Sequence, residues 1–144
     1  MSSRTKHAPP RFRPQGLSAS GRTPRARRRS ADTVEAGATA YLPADAGVSF
    51  PHVALTDGER IELGNTVVTV VSTLGHALAH ASYVVADRRR GNEEPWLVFT
   101  GDALLVGDVG RSDLHAAGNP ELLARALHGP LRRLLEIPDG VLAL

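Results

Sequence analysis

The residues of this chain best suited to chemistry sit at the ends of two β-rich runs. T-V-V-T-V-V-S-T-L runs into Gly75-His76, and P-W-L-V-F-T runs into Gly101-Asp102. A strand places its last side chain reproducibly. A glycine just beyond it takes backbone conformations closed to other residues, so the next side chain can turn toward a shared cleft. Imidazole nitrogen and carboxylate oxygen together suit zinc or non-haem iron, and two histidines with one carboxylate and open positions form the iron(II) oxygenase arrangement. His76 and Asp102 supply one of each and are the candidate metal ligands. His80, four residues beyond His76, reads as a supporting or structural histidine rather than a ligand. The chain has no cysteine, which excludes thiolate ligation and a disulfide framework.

The elements that must position these residues follow from pattern. Thr56-Asp57-Gly58-Glu59 is a turn signal. Residues 60–63 and 66–73, joined by Gly64-Asn65, read as a hairpin whose second strand is well buried. Strands over 81–86 and 96–100, joined by an exposed turn over 87–94, complete a β-meander in one sheet. Upstream, 31–36 reads as a helix end closed by Gly37, 38–42 as a short strand, 43–47 as a turn and 48–55 as a loop or edge segment. Residues 103–114 read as a glycine-containing loop. Asn119 as N-cap and Pro120 at the first helical position open a leucine-rich helix, which Gly129-Pro130 could split in two. A turn over 138–140 and a starting strand, V-L-A-L, follow.

Charge separates the chain into two parts. Nine of the 17 Lys and Arg fall within the first 29 residues, where there is no acid, and the remainder is formally negative by seven. The overall charge of +2 therefore describes residues 1–30, an Arg/Pro/Ser-rich tail expected to be disordered, while 31–144 form one domain of ordinary globular composition. An arm for nucleic acid or another acidic surface is the less favoured reading of the tail, because no aromatic ladder or known module accompanies the arginines. No apolar run suits a secretory signal or a membrane span, so a cytoplasmic protein is the default expectation.

G-H-A-L-A-H, from Gly75 to His80, resembles the G-H-T-x-x-H segment of the metallo-β-lactamase superfamily. F-T-G-D-A-L-L-V-G-D-V-G-R-S-D, from Phe99 to Asp113, resembles the corresponding block of its persulfide dioxygenase branch, close relatives of glyoxalase II. Y-L-P-A-D-A-G-V-S-F, from Tyr41, is similar to that branch as well. The resemblance runs from about residue 30 onward, with 99–113 its most specific part.

The fold implied is α+β, a partial metallo-β-lactamase-like αββα sandwich behind the basic tail. The activity implied is iron(II)-dependent oxidation of glutathione persulfide to sulfite. The alternative is a glyoxalase II-like hydrolase using zinc to cleave a glutathione thioester, and a third reading is an inactive remnant or a binding protein using the tail. The resemblance places Arg111 beside the substrate pocket, where its fork matches a carboxylate of a glutathione-derived molecule. A salt bridge from Arg111 to Asp113 or Asp108 is the competing reading, with Asp113 as a supporting residue. His52, His115 and His128 read as surface histidines, and Tyr83 and Trp96 as core or rim packing.

Departures from the family pattern matter too. The family's H-x-H-x-D-H motif, which supplies the other principal ligands, occurs nowhere in this chain, leaving an incomplete ligand set. The tail stands in its place, as a replaced segment or an unselected reading frame would. The family also continues past the last strand to a further histidine. These departures are expected to leave the domain cut at both ends, its metal weakly held, its activity impaired and its sheet partly uncovered, with a homo-oligomer open. T-L-G-H-A stands at 73–77 where T-P-G-H-T is usual, removing a proline and a hydroxyl.

Overall fold

β4 (Thr66–Ser72) and β5 (Ala81–Asp87) form the centre of the molecule, because neither has a polar face to give to solvent. They pair antiparallel, with Val68 opposite Val85 and Val70 opposite Tyr83, so β-branched and aromatic side chains meet across the pleat. The computed structural model describes Asp32 and residues 36–91, 93–113 and 120–144. The expected tail over 1–30 lies outside the described residues, as do His115 and Asn119.

β3 (Arg60–Leu63) joins β4 through the Gly64-Asn65 hairpin, and β6 (Pro95–Phe99) pairs antiparallel with the other side of β5. β9 (Leu142–Ala143) runs parallel to β6 and completes a five-stranded sheet in the order β3-β4-β5-β6-β9. A parallel neighbour needs a crossover connection, and α1 (Pro120–Leu135) lies within that connection. The α+β class and the meander are as the sequence implied. Two smaller pairs were less legible. β1 (Tyr41–Pro43) pairs parallel with β2 (Val53–Leu55), and β7 (Leu104–Leu105) forms a two-residue ladder with β8 (Asp108–Val109) inside the expected loop.

The two faces of the sheet carry different layers. Val71 and Val98, with Val84, Leu104, Ile137 and Val141, pack against Leu134 of α1. Val68, Val70, Tyr83 and Val85 pack on the other face with Leu55 of β2 and Tyr41 of β1.

α1 is continuous through Gly129-Pro130, contrary to the break the sequence allowed. Its buried side chains Leu123, Leu127 and Leu134 lie on one face. Three buried leucines contribute on the order of 5–9 kcal/mol, which outweighs about 3 kcal/mol for an interior proline. The C-terminal part of α1 is pinned to the sheet by Asp57, whose carboxylate accepts from Arg133 at 3.0 Å and from the Ser72 N–H at 2.7 Å.

Gly75 marks the closest approach of helix and sheet end. Its φ is +138°, and a Cβ there would stand 2.3 Å from Leu127 Cβ and 2.7 Å from the Leu127 Cα and N. Only a residue without a side chain lets α1 seat against this loop. Gly75→Ala is therefore expected to destabilise the protein by about 2–4 kcal/mol, read as a lower urea midpoint. A loss below about 0.5 kcal/mol, within the range of ordinary surface substitutions, would show that the approach has no energetic weight.

Candidate metal centre

Strand direction brings the two ligand candidates together. β4 and β6 both run antiparallel to β5, so the C-terminal ends of β4 and β6 and the N-terminal end of β5 lie at one edge of the sheet. His76 sits in the loop between β4 and β5, and Asp102 in the 3-10 turn Gly101–Ala103 just past β6.

A buried chain of hydrogen bonds braces this edge. Thr73, His80, Ser82 and Thr100 are all buried. Ser82 Oγ–H donates to the Thr100 carbonyl at 3.2 Å, and Thr73 Oγ1 lies 3.2 Å from Ser82 Oγ and 2.6 Å from His80 Nδ1. Each hydroxyl has one proton. The direction that satisfies all three bonds has Thr73 donating to Ser82 and His80 Nδ1–H donating to Thr73. His80 Nε2 is then an unprotonated nitrogen, and it finds no hydrogen-bond partner among the described residues.

His76 is fixed in the same sense. Its Nδ1 lies 3.0 Å from the Arg111 carbonyl, which can only accept, so Nδ1–H is the donor of that bond. A backbone carbonyl on the far ring nitrogen is how metal-ligating histidines are commonly oriented. Nε2 lies 3.5 Å from Asp102 Oδ2, with the His76 side chain 12% exposed and that of Asp102 58% exposed. His80 stands edge-on to His76, with ring centroids 6.0 Å apart.

Gly110 closes the site from above, and sequence reasoning missed it. A Cβ at Gly110 would lie 1.8 Å from the Asp102 carbonyl oxygen and 3.0 Å from His76 Cβ, and the Gly110 N–H donates to the Ala103 carbonyl at 3.1 Å. The signal was the glycine of G-R-S-D, a motif read for its charged residues. Of the two roles weighed for Arg111, the structure contains the salt bridge: the guanidinium holds both Asp113 oxygens, at 3.0 and 2.5 Å. That pairing raises the pKa of Arg111 and lowers that of Asp113. Asp108 instead caps the Val109 N–H at 2.8 Å.

The other singled-out residues stand apart from this edge. His52 is half-buried and bonds to the Phe50 carbonyl, His128 is exposed on α1, Tyr83 is in the core and Trp96 lies beneath Arg90. The donor types at His76 and Asp102 fit a divalent metal. Their number does not complete a site, because among the described residues no group of three His, Cys, Asp or Glu side chains converges where an ion could sit.

Comparison with known proteins places this arrangement. No family model matches the chain. It is 30% identical over 103 residues to the hydroxyacylglutathione hydrolase of Pseudomonas entomophila (strain L48), covering 72% of this chain and 35% of that protein. ETHE1 from Myxococcus xanthus superposes with a TM-score of 0.61 at 32% identity, over 78% of this chain and 44% of that one. TTHA1623, solved in a di-iron-bound form, gives a TM-score of 0.55 at 29% identity, over 76% and 57%. The chain belongs to the metallo-β-lactamase superfamily. It spans little more than a third of the length of the first curated relatives it matches.

Burial first, and the neighbouring His76 second, push His80 down to about 4 from its ordinary 6.5, with Asp102 opposing. A histidine depressed in this way stays neutral in the folded protein while the unfolded chain takes up a proton. Its contribution to stability is complete above pH 6.5 and is lost as pH falls through about 4, amounting to roughly 3 kcal/mol. His80→Gln is expected to flatten the pH dependence of unfolding free energy between pH 6.5 and 4. An unchanged slope in the variant would assign that dependence to other groups.

Proposed function

We propose that this chain carries the metal-ligating edge of a metal-dependent enzyme that acts on a glutathione-derived small molecule, of the persulfide dioxygenase type with iron(II). In this reading His76 and Asp102 are the ligands, His80 and Asp113 support them, and Arg111 faces the substrate. The observation that carries it is the position of His76: Nδ1–H is committed to the Arg111 carbonyl, and Nε2 stands 3.5 Å from the Asp102 carboxylate. An imidazole and a carboxylate held side by side are donor types that suit a divalent metal. Likeness to ETHE1 and to a di-iron-bound neighbour supports the iron reading.

A hydrolase acting on a glutathione thioester is the second reading, favoured by the likeness to a hydroxyacylglutathione hydrolase. Arg111 fits either substrate. Its present partner Asp113 is an exposed one, and such pairs contribute only about 0–1 kcal/mol, so a substrate carboxylate can displace it at little cost. No helix among the described residues is long and apolar enough to cross a membrane, and the cytoplasm is the setting we propose.

With two donors among the described residues, metal is expected to be held below one ion per chain after purification from medium containing iron and zinc. His76→Ala should lower metal affinity by roughly tenfold or more. Equal metal content in wild type and variant, by elemental analysis, would remove His76 from the ligand set. Iron-dependent oxygen uptake with glutathione persulfide supports the dioxygenase; thiol release from a hydroxyacylglutathione supports the hydrolase.

A further inference from the structure

Arg111 makes two contacts of different kinds. Its backbone carbonyl accepts from His76 Nδ1–H at 3.0 Å, while its guanidinium holds both oxygens of Asp113, at 3.0 and 2.5 Å. The backbone here is fixed without help from that side chain, because the Gly110 N–H donates to the Ala103 carbonyl and the glycine rests on the Asp102 carbonyl oxygen. The loop up to Arg111 needs nothing from Asp113.

The ion pair itself has little to hold together. Arg133 with Asp57 and Arg88 with Glu62 tie segments 76 and 26 residues apart. Arg111 and Asp113 are two residues apart, and their side chains are 67% and 52% exposed. Arg89 and Asp87 form a pair of the same span, but it lies at the far end of β5, away from His76 and Asp102. Place is what distinguishes Arg111. A two-pronged contact of guanidinium with carboxylate is how arginine recognises carboxylates in general, and Asp113 supplies that carboxylate from within the chain.

We propose that Asp113 is an internal stand-in for a substrate carboxylate, an autoinhibitory plug that fills the Arg111 fork until a carboxylate-bearing small molecule displaces it. The inference rests on the reading of Arg111 as the residue that faces substrate, and it adds a control on that contact. Exchange swaps one carboxylate for another, so no charge is left unpaired at the fork. It also moves side chains only, since the Arg111 carbonyl stays on His76. The plug is tethered and so competes at a high effective concentration. A lone free carboxylate therefore displaces it poorly, and a larger ligand with further contacts is selected.

The test titrates S-methylglutathione, an unreactive thioether, into the full 144-residue chain near neutral pH, read by calorimetry. Asp113→Asn, at an exposed position, is expected to tighten binding by roughly two- to sixfold, the competition offered by an exposed ion pair. Arg111→Gln should weaken binding about tenfold or more, and adding Asp113→Asn to it should bring no gain. Asp108→Asn removes the same charge from the same loop, where Asp108 bonds to the Val109 N–H and not to Arg111, and should change affinity little. An unchanged affinity in Asp113→Asn, or an equal gain in Asp108→Asn, would overturn the plug; loss of binding in Arg111→Gln would then leave the substrate reading of Arg111 standing. Binding undiminished in Arg111→Gln, or absent from both wild type and Asp113→Asn, would overturn that reading and the plug with it.

Discussion

The hydrogen-bonded chain from His80 through Thr73 and Ser82 to the Thr100 carbonyl is the constraint on which the geometry of this edge depends. It crosses the ends of β4, β5 and β6 on the side of the sheet that also carries Val71, Val84 and Val98. Each bond contributes only about 0.5–1.5 kcal/mol net, but a buried polar group left unpaired costs about 1–3 kcal/mol. The penalty for slipping one strand end relative to the next therefore exceeds the gain from any one bond. Once the three ends are locked, His76 and Asp102 each lie three or fewer residues from a fixed point, and their separation follows.

Two glycines convert that locked edge into a site. Gly75 lets α1 approach until Leu127 backbone atoms occupy the space a side chain would take, which covers the helix face of the sheet up to its end. Gly110 lets the following loop lie directly on the Asp102 carbonyl, and this brings the Arg111 carbonyl to His76 Nδ1. The contribution of Arg111 to histidine orientation is thus made by its backbone. Its side chain is occupied elsewhere, with Asp113.

What was legible in the sequence and what was not divides along the same physical line. The valine-rich runs of β4 and β5 and the two Gly-X corners are local patterns, and they identified the central sheet and the neighbourhood of His76 and Asp102. The parallel pairing of Tyr41 with Val53 depends on contacts remote from its own pattern. Continuity of α1 through Pro130 depends on three leucines finding a surface to bury against, and tertiary packing there overrides local propensity. The roles of Gly110 and of the Arg111 carbonyl were not legible, because one is defined by a missing atom and the other by a group every residue carries. Thr73 and Ser82 read as ordinary strand residues, and their function in the brace exists only once three strands lie side by side.

The two histidines show what the assembled edge is suited to. Both donate through Nδ1, His76 to a carbonyl and His80 to a hydroxyl whose own proton is spent on Ser82, and His76 Nε2 stands 3.5 Å from the Asp102 carboxylate. A proton on His80 meets opposition from burial and from the adjacent imidazole. His76 and Asp102 stand within ion-pair distance of each other, at 3.5 Å. The brace and the two glycines thus hold an imidazole and a carboxylate side by side at one end of the sheet, the donor pair that the proposed metal reading requires.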